Sequence, residues 1–349
     1  MTPDASRAAE RWLAQAGLPA GLVAPPSRAA WEAQRTGLRA TLEELLGRLP
    51  PRPAVPRVET MAREERDGYV LERFRFDNGA GDVVPGCLLL PRGRMRSPAI
   101  LYCHWHGGEY AVGKEELFQS AHTPEPPGPA LARRGFAVLA IDAPCFGERM
   151  GQGPGGPAET GGAAEASAAK FHLWVGRTFW GMLLRDDRMA LDYLLARPEI
   201  DPARVGVTGI SMGSTRTWWL LALDERLRTG VGVACLTRYR DLIAAGGLAE
   251  HSIGYYVPRM LAHGDSESVV ALIAPRPVLF QTGDRDPGSP VSGVRAIEAA
   301  VRPIYRLYGA EEDFVNVVEP GVGHVYTPAM WARTCAWFED RLGHPGAPA

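Results

Sequence analysis

Five residues in the middle of the chain, Gly209-Ile210-Ser211-Met212-Gly213, constrain its fold more than any other stretch. They follow an apolar run, Arg204-Val205-Gly206-Val207-Thr208, that reads as a strand, and they precede a helical run from Thr215 to Leu223. A serine on so sharp a strand-to-helix turn needs small residues two before and two after it, because the flanking chains must pass close together. Gly209 and Gly213 meet that need. The helix start leaves backbone N–H groups, that of Met212 first, aimed at any oxyanion forming on the serine. Ser211 is therefore the candidate nucleophile.

The surrounding pattern is one of short, wholly apolar strands separated by helical stretches, which marks parallel strands covered on both faces. The expected strands are Ala99 to Cys103, Phe136 to Ile141, Val205 to Gly209, Val231 to Cys235, Val278 to Gln281 and Val315 to Val318. Upstream, Tyr69 to Phe76 reads as an exposed strand with Cys87 to Leu90 as its neighbour, turned through Asn78-Gly79. Residues 1 to about 49 read as helical, with Leu38, Leu42, Leu45 and Leu49 on one face. The proline-rich run from Pro50 to Pro56 ends that segment. The expected division is residues 1–56 as a helical extension and connector, then 57–349 as one α/β catalytic domain. Within it, 145–170, dense in glycine, and 237–265 are the expected lid or cap segments.

A serine hydroxyl needs a base and an acid to orient that base. His324 lies just after the last strand, in Glu319-Pro320-Gly321-Val322-Gly323-His324. Of the other histidines downstream of Ser211, His251 and His263 precede that strand and His344 is in the tail, so His324 is the candidate base. The acid should follow the strand Val278 to Gln281, where Asp284 and Asp286 stand in Thr282-Gly283-Asp284-Arg285-Asp286-Pro287. Asp286 is the candidate, with Asp284 capping the turn. The second oxyanion donor should come from His104-Trp105-His106-Gly107-Gly108, where Trp105, His106 and Gly107 are equal candidates. His104 and His106 lack a third ligand at metal spacing, so no metal is assigned and both are read as support for this loop.

Composition narrows the remaining choices. The 38 basic and 40 acidic residues leave a net charge of −2, which offers nothing to nucleic acid or an anionic membrane. All but two of the basic residues are arginine; of the exceptions, Lys114 is read as a solvated surface lysine. No stretch of eighteen apolar residues occurs, the N-terminus lacks the apolar centre of a signal peptide, and five scattered cysteines form no CxxC. A reduced, cytoplasmic protein is expected. The aromatics of Phe171 to Trp180 and His251 to Tyr256, with Trp218 and Trp219, are read as core before pocket wall.

The chain resembles the α/β-hydrolase superfamily, and within it the acetyl xylan esterase and dienelactone hydrolase-like branch. The resemblance spans roughly residues 65 to 342. It rests on His104 to Gly108, Ile141 to Arg149, Asp187 to Gly213, Ala271 to Asp286, and Gly323-His324. It implies an α/β-hydrolase fold, a mostly parallel sheet between helices, and a cofactor-free serine esterase acting on small-molecule or carbohydrate esters; short acyl esters, such as those of acetylated sugars, are the expected substrates. It also supports Asp286 over Asp284. Dienelactone hydrolases proper carry cysteine where Ser211 stands, which argues against that chemistry. The other readings are a prolyl-oligopeptidase-like peptidase, disfavoured by the absence of a large preceding domain, and a non-catalytic binding protein of the same fold.

Overall fold

The computed structural model describes residues 3–93 and 96–343, so His344 lies outside the described residues. Nine strands form one sheet: β1 (Val58–Arg66), β2 (Tyr69–Asp77), β3 (Val83–Pro91), β4 (Ser97–Cys103), β5 (Ala137–Ile141), β6 (Ile200–Ile210), β7 (Thr229–Val233), β8 (Val278–Gly283) and β9 (Phe314–Glu319). Their order is β1-β2-β3-β5-β4-β6-β7-β8-β9. The first three strands pair antiparallel, as do β3 and β5; every pairing from β5 onward is parallel.

Parallel strands tolerate only apolar residues because helices cover both faces, and β4 shows why. Ala99, Leu101 and Cys103 pack into the core layer on one face of the sheet, while Ile100 and Tyr102 pack into the layer on the other. The helices Phe179–Ala196, Met212–Leu223 and Val291–Leu307 contribute to the first layer. Pro127–Arg133 and Pro328–Arg341 contribute to the second.

Several expectations are corrected here. Residues 1 to 49 hold two helices, Pro3–Gln15 and Arg28–Leu45, and the chain between them is not helical. Pro19, Pro25 and Pro26 stand in that gap, where proline removes a helix donor and clashes with the preceding turn. The second helix seats Trp31, Leu42 and Leu45 in the main core. Strand β2 is mostly buried rather than exposed, because Val70, Phe74 and Phe76 enter one core layer and Tyr69 and Leu71 the other; β1, a strand the hydrophobic pattern did not reveal, pairs along its outer edge. Segment 145–170 is not a plain loop: two 3-10 turns lead into a helix, Gly161–Trp174. Trp180, Trp218 and Trp219 are core as expected, but Phe171 and Trp174 are exposed.

The sheet order places the functional loops. The order reverses around β4, and in open α/β sheets the crevice at such a switch point lies beyond the carboxyl ends of the strands. Cys103 at the end of β4 is in register with Gly209 near the end of β6, so the loop after β4 runs beside the serine turn. Strands β7, β8 and β9 follow in order on the other side and bring their own C-terminal loops to the same edge.

Candidate active site

Ser211 sits at φ 58°, ψ −118°, a backbone state that costs a non-glycine residue energy and is held only by its surroundings. Its amide donates to Val233 O on β7 at 2.9 Å. A Cβ on either Gly209 or Gly213 would collide with the carbonyl oxygen of Cys103, and Gly209 also approaches the Cα of Gly213 within 2.6 Å of where its Cβ would stand. The two glycines are thus dictated by the closeness of β4 to the turn. The hydroxyl of Ser211 faces Cys235 Sγ at 3.9 Å and, among the described residues, makes no hydrogen bond to His324. Burial pushes the Cys235 thiol up to about 12, so it stands beside the serine as a neutral group.

His324 Nδ1 meets Asp286 Oδ2 at 2.9 Å. The other oxygen of Asp286 accepts the Gly288 amide at 2.9 Å, and His251 Nε2 reaches Gly288 O at 3.0 Å. The acid loop is therefore braced from a segment that the sequence left unread. Asp284 takes a different place. Its carboxylate accepts the Gly321 amide at 2.7 Å and its own amide donates to Glu319 O at 3.0 Å, which joins the loops after β8 and β9.

Two imidazoles line the serine pocket, and their hydrogen bonds tell them apart. His106 is used at both nitrogens: Gly108 N–H donates to Nδ1 at 3.1 Å, and Nε2 lies 3.0 Å from Glu165 Oε2. His324 is held at Nδ1 alone, and among the described residues Nε2 has no partner. Of these two imidazoles, His324 is the one with a nitrogen to offer a hydroxyl.

The oxyanion loop corrects one expectation. The Trp105 amide already donates to Glu116 Oε2 at 2.7 Å, which leaves the amides of His106 and Gly107 as this loop's candidates beside that of Met212. His104 holds the loop from within: Nδ1 bonds Trp105 O at 2.8 Å and Nε2 accepts the Ala143 amide at 3.0 Å. Burial drives His104 well below the usual histidine range, consistent with a neutral ring serving the backbone. Beneath it, Arg216 on the helix after Ser211 pairs through two nitrogens with Asp187, both side chains fully buried.

Lys114 is likewise corrected. It is buried, not solvated; its ammonium lies 2.9 Å from Asp142 Oδ2 and pairs with Glu148, while its amide donates to Asp142 Oδ1 at 2.7 Å. The residues that sequence reasoning missed, Glu116, Glu165, Cys235 and His251, share one trait. Each acts across many residues of chain, and no local motif announces it.

The pocket over Ser211 has a volume of about 390 Å³, and Trp105, His106, Cys235, Tyr255, Asp286 and His324 are among its walls. Ala249, Glu250, Ser252 and Tyr255, from segment 237–265, also line this pocket. Among the described residues no three His, Cys, Asp or Glu side chains gather as a metal set, and no helix is long and apolar enough to cross a membrane.

A strand-ordered sheet with a serine turn after β6, a carboxylate after β8 and a histidine after β9 defines an α/β-hydrolase. The profile of the abhydrolase family matches residues 24–289, and the chain belongs to that family. It is 35% identical over 299 residues to YtaP of Bacillus subtilis (strain 168), a hydrolase by name alone, covering 85% of this chain and 96% of that protein. It is 27% identical to the lasso peptide isopeptidase AtxE2 of Asticcacaulis excentricus, over 63% of this chain but only 30% of that one. Among solved structures, a glucuronoyl esterase from Solibacter usitatus superposes with a TM-score of 0.67 to 0.70 in two structures, each at 16% identity, covering 94% of this chain and all of the other.

Proposed function

We propose that the protein is a serine carboxylic-ester hydrolase acting on short-chain acyl esters of small or carbohydrate alcohols. The observation that carries this reading is the pairing of a left-handed Ser211 at a helix start with a His324–Asp286 couple whose free Nε2 lines the same pocket. In this scheme Ser211 Oγ attacks the ester carbonyl while its proton passes to His324 Nε2. The carbonyl oxygen, now negative, is held by the amides of Met212 and of His106 or Gly107. Collapse breaks the bond to the leaving alcohol, which takes the proton from His324. A water molecule repeats the sequence on the acyl-enzyme and releases the acid.

A volume of about 390 Å³ suits an acyl group and a small alcohol together, and among the described residues that line it there is no lysine or arginine. That supports a substrate without an anionic group near the reacting carbon. No cofactor enters the scheme. The five unpaired cysteines support the cytoplasmic assignment.

Reaction with a fluorophosphonate probe tests the nucleophile: labelling of the wild type, lost in Ser211→Ala, is expected, and an unlabelled wild type would sink the reading. The isopeptidase among the relatives keeps amide hydrolysis as the second reading. Turnover of short p-nitrophenyl esters against aminoacyl anilides separates the two, and hydrolysis confined to anilides would decide for the peptidase.

A further inference from the structure

Glu165 is a buried carboxylate engaged by three side chains beside the site, and the scheme above does not use it. It sits on the helix Gly161–Trp174 with its side chain 3% exposed. Oε2 lies 3.0 Å from His106 Nε2 and accepts the Tyr110 hydroxyl at 2.8 Å; Oε1 accepts the Ser252 hydroxyl at 2.8 Å. Its partners thus come from the oxyanion loop and from segment 237–265, while Glu165 itself belongs to segment 145–170. Segment 237–265 even leaves room for it: a Cβ on Gly254 would stand 2.5 Å from Oε1.

The oxyanion loop needs such a hold. Gly107 and Gly108 are both left-handed, at φ +47° and +76°, so the chain between Trp105 and Glu109 has the freedom of glycine on top of any intrinsic preference. Because Gly108 N–H donates to Nδ1 of His106, that nitrogen is the acceptor and Nε2 carries the proton toward Glu165. Phe146 lies against the rings of both His106 and Tyr110, at 5.1 and 4.7 Å between centroids, and limits how the imidazole can turn. Burial pushes the Glu165 carboxyl up, but the hydrogen bonds of His106, Ser252 and Tyr110 outweigh it and hold the group below the usual carboxylate range.

We infer that Glu165 is a positioning residue: acting through the His106 imidazole, it sets the amides of the 106–107 turn against the carbonyl that Ser211 attacks, and it ties segments 145–170 and 237–265 to that turn. The inference rests on the reading of Ser211 as the nucleophile.

The test measures kcat and KM on p-nitrophenyl acetate, with inhibition by an aryl trifluoromethyl ketone, whose adduct with the serine carries a real oxyanion. Glu165→Ala is expected to lower kcat about 100-fold, the scale of one lost oxyanion donor, with KM moving much less and the ketone weakening in proportion to kcat/KM. Glu165→Gln can still accept from His106 and Tyr110 while its amide donates to Ser252, so it should recover most of that loss. Glu165→Ala with kcat and ketone affinity within twofold of wild type overturns the proposal. Should Glu165→Ala fail to fold, Tyr110→Phe and Ser252→Ala each remove one hydroxyl from the carboxylate. Each is expected to lower kcat and ketone affinity together by about threefold or more; wild-type values in both overturn it equally. Ser211→Ala run alongside separates the two failures, since full turnover there refutes the serine reading itself.

Discussion

Trp105 gives its amide hydrogen to a carboxylate, Glu116 Oε2 at 2.7 Å, and that carboxylate is itself almost wholly cut off from water. Burial pushes Glu116 up to about 7, against the hydrogen bonds of Tyr102 and the Trp105 amide that favour its ionised form. The fold therefore has a group that changes charge near neutrality directly under the 104–108 loop.

The consequence for stability has a definite sign. A carboxyl whose folded value lies above its unfolded one binds more protons when folded, so it costs stability as pH rises from about 4.5 through about 7. Glu116→Gln, which imitates the protonated form, should gain on the wild type over that window by at most about 3 kcal/mol. Thermal midpoints of the two proteins measured from pH 5 to pH 8 would check it, the variant rising relative to wild type toward pH 8. Parallel curves would show that Glu116 does not titrate in this range.

The two aspartates after β8 should behave very differently. Asp286 holds the Nδ1–H of His324, and replacing it by Asn presents a donor where an acceptor is needed, which costs on the order of 10⁴ in kcat in a Ser-His-Asp site. Asp284→Asn keeps an oxygen for the Gly321 amide and should cost less than about tenfold. Ester turnover by the two variants settles which carboxylate orients the base; a larger loss at Asp284 would reassign it.

What could be read from residue order alone was whatever is local. The serine turn depends on five consecutive residues, and β4, β5, β7, β8 and the second half of β6 are largely apolar because both of their faces are covered, so each announced itself. Strand β1 did not, since Val-Glu-Thr-Met-Ala-Arg-Glu-Glu-Arg is a charged edge strand whose only requirement is the register of β2. Lys114 misled for a related reason. Its partners Asp142 and Glu148 lie 28 and 34 residues away, and a lysine's surroundings in sequence say nothing of them. Separations of 11 and 59 residues likewise hid Glu116 from Trp105 and Glu165 from His106.

Glycines in this chain fall into opposite classes, which makes a paired prediction. Gly209→Ala forces a Cβ into the Cys103 carbonyl, where only backbone can yield, and should destabilise the protein by several kcal/mol and distort the turn that holds Ser211. Gly37, exposed in the helix Arg28–Leu45, has nothing within 4 Å of its missing Cβ. Gly37→Ala should stabilise by about 0.5–1 kcal/mol through helix propensity alone. Denaturant midpoints would read both, and a tolerated Gly209→Ala would mean that β4 and the serine turn stand further apart than described.

Lys114 and Asp142 give the sharpest test of a buried pair. Asp142 is completely enclosed; burial raises its carboxyl, while Lys114 and the amides of Lys114 and Glu148 work to lower it. Gly113 and Gly147, both left-handed, leave no space on either side, for a Cβ at either one would strike the carboxylate. Lys114→Met removes the countercharge and leaves Asp142 with only its amides, a change that costs roughly 3–5 kcal/mol when a buried pair is broken from one side. Lys114→Met combined with Asp142→Asn removes both charges and should restore a large part of that loss. Because the pair links the loop after β4 to the loop after β5, the single variant should also depress ester turnover, and the double variant should recover stability and turnover together. A single variant as stable as the wild type would return Lys114 to the surface.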